Sequence, residues 1–164
     1  MAQIQISVNC DRIKIDPERL AQAAERILNA LDCSDGELSL VLTDDEEMAD
    51  LNARFRGVAE PTDVLSFPMR EGDFAEIAPH MLGDVVIGVE TAQAMAEKAC
   101  CSLDEILDLL LVHGILHLLG HDHGDPAEAA AMEALTVNLL HQLGHDPARF
   151  AWYRTDFSQD FKEG

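Results

Sequence analysis

From Leu107 to Leu119 the chain reads LDLLLVHGILHLL, an almost unbroken apolar stretch interrupted by two histidines four residues apart. An apolar surface this broad suits a helix buried on nearly all sides, which makes it the centre of whatever fold surrounds it. On such a helix His113 and His117 stand one turn apart on the same face. Gly120 then lets the chain reverse, and His123 completes the spacing H-x-x-x-H-x-x-G-x-x-H. Four of the chain's seven histidines fall between positions 113 and 123. Three imidazoles around one ion leave a coordination position open, which describes a catalytic zinc site better than a structural one. The pattern predicts one Zn²⁺ per chain on His113, His117 and His123, although Ni²⁺ and Co²⁺ suit the same nitrogens.

A glutamate after the first histidine would make this the signature of a class of zinc peptidases, in which that residue is the general base. Here the position is Gly114. A Zn²⁺ ion held by neutral nitrogens keeps its full charge and can bring the pKa of bound water down to roughly 7. Attack on phosphorus therefore tolerates the missing carboxylate better than peptide hydrolysis does. A zinc peptidase with its base elsewhere, and a protein whose metal only staples helix to turn, stand as the alternatives.

The stretch HGILHLLGHDH resembles the signature of the YbeY family, bacterial metal-dependent endoribonucleases of ribosomal RNA maturation. Residues 52 to 68, NARFRGVAEPTDVLSFP, resemble that family's upstream motif, and Gly83-Asp84-Val85-Val86-Ile87 resembles the strand that follows. The similarity runs in order through nearly the whole chain, with one departure, His121 in place of the family's usual Tyr. The resemblance implies hydrolysis of single-stranded RNA, with roles in trimming the 3′ end of 16S ribosomal RNA and in late ribosome quality control. RNA is the partner it implies, with no DNA expected. The short alternating Ile4–Val8 segment and the histidine-bearing stretch near 110 support neither a signal peptide nor a membrane span, so a cytoplasmic protein is expected. The acidity of the chain suits docking to basic small-subunit ribosomal proteins, salt adaptation or plain solubility.

Phosphoryl transfer gathers negative charge in its transition state, so a guanidinium is expected near the metal. Arg56, inside the upstream motif and just before Gly57, is the candidate. Arg54 and Arg70 are candidates for the RNA backbone, and Ser66 for the floor of a groove. Asp63 and Asp84 border strands and suit loop support or contacts behind the ligands. Asp122 is placed to accept a hydrogen bond from a ligand imidazole, or to form the turn. His121 is a candidate proton donor at the mouth of the site.

With 31 acidic against 11 basic side chains, the chain carries a formal net charge of −20. A surface of that sign repels phosphate at long range and lacks the basic footprint usual in nucleic-acid binders. It still permits a local site built from a few cations and the metal's own charge. RNA affinity is accordingly expected to be modest and steeply salt-dependent. The four cysteines, Cys10, Cys33, Cys100 and Cys101, lack metal-ligand spacing and are expected to be reduced filler.

At 164 residues one domain spanning 1–164 is the economical expectation. The periodicities predict an α/β fold, a mixed four-stranded sheet covered by about five helices. Strands are expected at 3–8, 37–42, 64–67 and 84–89. Helices are expected from Pro17, from a Thr43–Glu46 capping box, over 91–100, from a Ser102 cap with Glu105, and from Pro126. Asp104, Glu105 and Asp108 fall near the start of the histidine helix, where its dipole favours acids. Residues 69–81 read as an irregular loop over the site, and Trp152, Tyr153 and Phe157 as aromatic residues packed on the domain.

Overall fold

Short segments with alternating or continuous apolar residues assemble the sheet, as expected of strands packed against helices. The computed structural model describes residues 2–68, 80–121 and 124–152. Among these, the strands β1 (Gln3–Val8), β2 (Glu37–Thr43), β3 (Val64–Pro68) and β4 (Met81–Gly88) form one mixed sheet in the order β1-β2-β4-β3. β1, β2 and β4 run parallel, whereas β3 pairs antiparallel with β4 and forms one edge. Five helices accompany the sheet: α1 (Pro17–Ala30), α2 (Asp45–Arg56), α3 (Val89–Ala99), α4 (Leu103–Leu118) and α5 (Pro126–Gln142). The α/β architecture is thus the one the periodicities predict.

Two layers divide the apolar residues. On one face, α1, α3, α4 and α5 share a continuous core with Leu38, Leu40, Leu42, Val85 and Ile87 of the sheet. On the other, α2 covers a smaller cluster of Met48, Leu65 and Val86. α4 lies at the centre of the larger layer, and every residue from Ile106 to Leu116 is buried. Its entrance is the expected capping box: Ser102 Oγ accepts from Glu105 N at 3.1 Å and Glu105 Oε1 accepts from Ser102 N at 2.9 Å.

Local signals misplace three boundaries. The cap of α2 is Asp44, which accepts from Glu47 N at 2.9 Å, while Thr43 ends β2 and donates its hydroxyl to Glu47 Oε2 at 2.6 Å. An aspartate one residue on competes for the same amides, and as the better N-cap it wins. β4 begins at Met81, three residues before the expected start, because a register shift opposite Glu37 and Leu38 breaks the alternation there. Helix α3 begins at Val89; Thr91 donates its hydroxyl to Asp45 Oδ1 at 2.9 Å and caps nothing.

The four cysteines are free thiols. Trp152 packs at the margin of the main core and donates its indole N–H to Arg149 O at 2.9 Å. Tyr153, Phe157 and most of the expected loop, residues 69–79, lie outside the described residues.

Candidate active site

α4 presents its histidines to a cavity of about 40 Å³ at the β3 edge of the sheet. His113, Gly114 and His117 line it from the helix; Val64 and Ser66 line it from β3. Arg56, Thr62 and Asp63 close it from the segment between α2 and β3. Arg56 reaches it because Gly57, in the left-handed conformation (φ 75°), ends α2 immediately behind it. The loop that follows is folded back by Asn52, a buried side chain whose Nδ2 donates to Glu60 O at 2.9 Å. The upstream motif and the histidine helix, about fifty residues apart in sequence, thus meet across β3.

Gly114 is where α4 presses on the sheet. A Cβ at this position would lie 2.6 Å from Val85 Cγ1 and 3.2 Å from Val64 Cγ2, so a side chain enters only if the stiff valines of the sheet, or the helix itself, give way. The general base of the peptidase signature has no room here. Ser66 Oγ donates to the carbonyl of Gly114 at 2.9 Å, a second tie between the edge strand and the turn carrying both histidines.

The ring of His117 is oriented by its own chain. Nδ1 lies 3.0 Å from His121 O, and because a carbonyl only accepts, Nδ1 carries the proton and Nε2 holds the lone pair. A backbone carbonyl on the far nitrogen is the usual support of a metal-binding imidazole. His113 is 3% exposed and one turn earlier on the same lining. This donor set fits a borderline ion such as Zn²⁺. Among the described residues no group of three or more His, Cys, Asp or Glu is arranged to hold a metal, and His123 and Asp122 lie outside them.

Asp63 acquires a prominence that its sequence position gave little sign of. Its Oδ1 accepts from Val64 N at 2.8 Å and its backbone carbonyl accepts from Gly88 N at 2.8 Å. Part of its surface faces the cavity, yet the protein around the carboxyl desolvates it and raises its pKa above the ordinary carboxylate value, against the pull of the Val64 N–H and the Arg56 charge. Its place in the upstream motif, at the border of β3, suggests a supporting role but not this desolvation.

The remaining expected residues sit elsewhere. His121 caps the turn after α4, its N–H donating to Leu116 O at 3.0 Å and its carbonyl holding His117. Asp84 lines a separate groove on the sheet face with Gln5 and Ser39. Arg54 is exposed in the last turn of α2, and Arg70 lies outside the described residues.

Residues 5–144 match the family model described as endoribonuclease YbeY. This chain belongs to the YbeY family. A relative named endoribonuclease YbeY from Thermobifida fusca is 47% identical over 135 residues, covering 78% of this chain and 86% of its own. Another of that name, from Rhodopseudomonas palustris, is 42% identical over 148 residues, 87% of this chain and 88% of its own. The solution structure of TM1509 from Thermotoga maritima, 23% identical, superposes with a TM-score of 0.60 over 100% of this chain and 99% of that one, a likeness of fold.

Proposed function

We infer that this protein is a metal-dependent endoribonuclease that cleaves single-stranded RNA in ribosomal RNA maturation. Membership of the YbeY family supports the activity. The observation that carries the reading to these residues is the cavity in which two imidazoles, a guanidinium and a desolvated carboxyl converge while position 114 excludes a peptidase base. The reading extends to the 3′ end of 16S ribosomal RNA and to late ribosome quality control. It takes the chain as one YbeY-like domain acting in the cytoplasm, with small-subunit ribosomal proteins as partners. No helix among the described residues is long and apolar enough to cross a membrane.

His113, His117 and His123 would hold one ion, Zn²⁺ by ligand chemistry, with Ni²⁺ or Co²⁺ as substitutes. When bound, such an ion supplies positive charge that makes water a better nucleophile and draws charge from a phosphate oxygen. His121 serves the ion indirectly through its carbonyl, and its own ring is the candidate proton donor at the mouth. Arg56 orients the phosphate and offsets the charge that accumulates as water adds to phosphorus. One P–O ester bond then breaks, and the departing oxygen takes a proton. Asp63, with Oδ1 engaged by Val64, offers Oδ2 as a site where a proton is held. Ser66 fixes the helix turn against β3, Asp122 supports a ligand imidazole, Asp84 serves the separate groove on the sheet face, and Arg54 and Arg70 contact the RNA backbone.

Cleavage of a labelled single-stranded RNA, compared among the wild type, His113→Ala and Arg56→Ala, tests this reading. Both variants are expected to fold, with rates reduced by about a hundredfold or more. Equal rates in all three would assign the cleavage to a contaminant and overturn it. Silence on RNA and ribosomal particles alike, with unfolding on loss of His113, would favour an assembly factor with a structural metal.

A further inference from the structure

Phe55 stands out among the described large apolar side chains. It is 61% exposed, beside Val8 and Met81 at 41% and 40%, and the aromatic one of the three. Its ring rests on Phe67, with centroids 4.8 Å apart and planes inclined at 58°. Phe67 is in turn anchored in the cluster of Met48, Leu65 and Val86 beneath α2. One ring is therefore propped on a second, fixed ring and turned toward solvent.

The pair is continuous with the cleavage site through the backbone. Arg56, next to Phe55, and Ser66, next to Phe67, both line the histidine cavity. Successive residues of a strand point to opposite faces. While Ser66 reaches Gly114 on the α4 side, Phe67 faces the α2 side, and the two aromatic rings stand just around the edge strand from the cavity. In a chain of net charge −20 with only 11 basic side chains, two of them, Arg54 and Arg56, stand on either side of Phe55 in the last turn of α2 and supply local positive charge. An exposed aromatic face at the edge strand, with an exposed Arg54 before it in the chain and the cavity-lining Arg56 after it, matches what holds single-stranded nucleic acid: stacking for the base, cations for the phosphates.

We propose that Phe55, braced by Phe67 and flanked by Arg54 and Arg56, is a stacking platform that holds one unpaired nucleobase of the RNA next to the bond being cut. The proposal rests on the endoribonuclease reading and adds to it a physical basis for single-strand preference, because a base paired in a duplex cannot turn its face to the ring.

The test is steady-state cleavage of short single-stranded RNAs, intact or with one abasic nucleotide at each position in turn, by the wild type, Phe55→Ala and Phe55→Trp. Phe55→Ala is expected to raise KM about 5- to 150-fold, as loss of one stacked base does, with kcat nearly unchanged and Phe55→Trp close to the wild type. One abasic position should raise KM for the wild type by the same factor and have no further effect on Phe55→Ala. The dependence of KM on salt should keep its slope in Phe55→Ala and become shallower in Arg54→Ala. Unchanged KM in a folded Phe55→Ala overturns the platform and leaves the nuclease reading standing. A defect seen on ribosomal particles but not on free RNA assigns the ring to a protein contact and equally overturns it. Failure of the wild type to cleave any RNA sinks the nuclease reading and the platform with it.

Discussion

The two ends of α4 carry polar groups into the same apolar layer, and they resolve the cost of doing so in opposite ways. Near the N-terminal end, Asp108 is 2% exposed, and its Oδ2 accepts from Arg19 Nη1 at 3.0 Å and His145 Nε2 at 2.6 Å. Burial works against the charge of Arg19, but the hydrogen bond and charge of Asp108 outweigh it and hold the guanidinium pKa above its ordinary value. One turn earlier, Glu105 grips Arg149 with both oxygens, at 2.5 and 3.0 Å, and the Arg149 hydrogen bonds hold its pKa down at about 2. These groups tie α1, α4 and the chain after α5 together. At the other end, five residues beyond Asp108, His113 and His117 turn their rings to a cavity. In the first cluster the cations of the protein itself gather on one carboxylate oxygen, Asp108 Oδ2, while in the second the imidazoles line a space that a ligand can enter. A buried carboxylate gripped by cations from other elements fixes those elements together, and imidazoles turned toward a cavity are available for chemistry.

The comparison breaks most visibly at Asp108. Asp108→Ala leaves Arg19 and His145 without their shared acceptor inside the core. Because Arg19 is partly exposed, the expected loss is about 2 to 3 kcal/mol, somewhat below that for a fully buried pair. Urea denaturation measures it. RNA cleavage per folded molecule should stay within a few-fold of the wild type. A large activity loss at unchanged stability would mean the two ends of the helix are one functional unit.

Gly114→Ala probes the boundary between the two ends. The added methyl meets the Val85 side chain at 2.6 Å, so that side chain, β4 or the helix must shift, at a cost of about 1 to 3 kcal/mol. Because the shift falls between His113 and His117, the zinc affinity of the folded variant, followed by titration against a competing chelator, should fall about tenfold or more. Unchanged affinity would show that the cavity does not depend on this close contact.

Much of this division was legible in the sequence. The apolar breadth of 107–119 placed α4 at the centre, and Ser102 with Glu105 marked its start, because both signals are local and periodic. The histidines declared themselves by spacing. Asp108 read as a dipole-favoured acid, since Arg19 and His145 lie 89 and 37 residues away and no local pattern joins them. Gly114 registered as a missing glutamate, and its packing reason emerged only once Val85 was seen behind it. Phe55 follows Met48 and Leu51 at helical spacing, a pattern that suits a buried face, yet it lies in the last turn of α2 and stays exposed.

Asp63 offers the finest test, because it lies at the open end yet bears the desolvation typical of the closed one. An acid whose folded pKa is raised binds its proton more tightly when folded, so its contribution to stability is greatest at low pH. That contribution is lost as pH rises from the ordinary carboxylate value through the folded one. Asp63→Asn keeps an oxygen for the Val64 N–H and removes the charge. In metal-depleted protein its melting temperature should exceed that of the wild type at pH 8, and the gain should shrink toward pH 5. A gain that does not vary with pH would place the benefit in packing rather than in the buried charge. A loss at pH 8 would mean that Arg56 stabilises the carboxylate more than burial penalises it, and Asp63 would then belong with Asp108 among acids held by a neighbouring guanidinium.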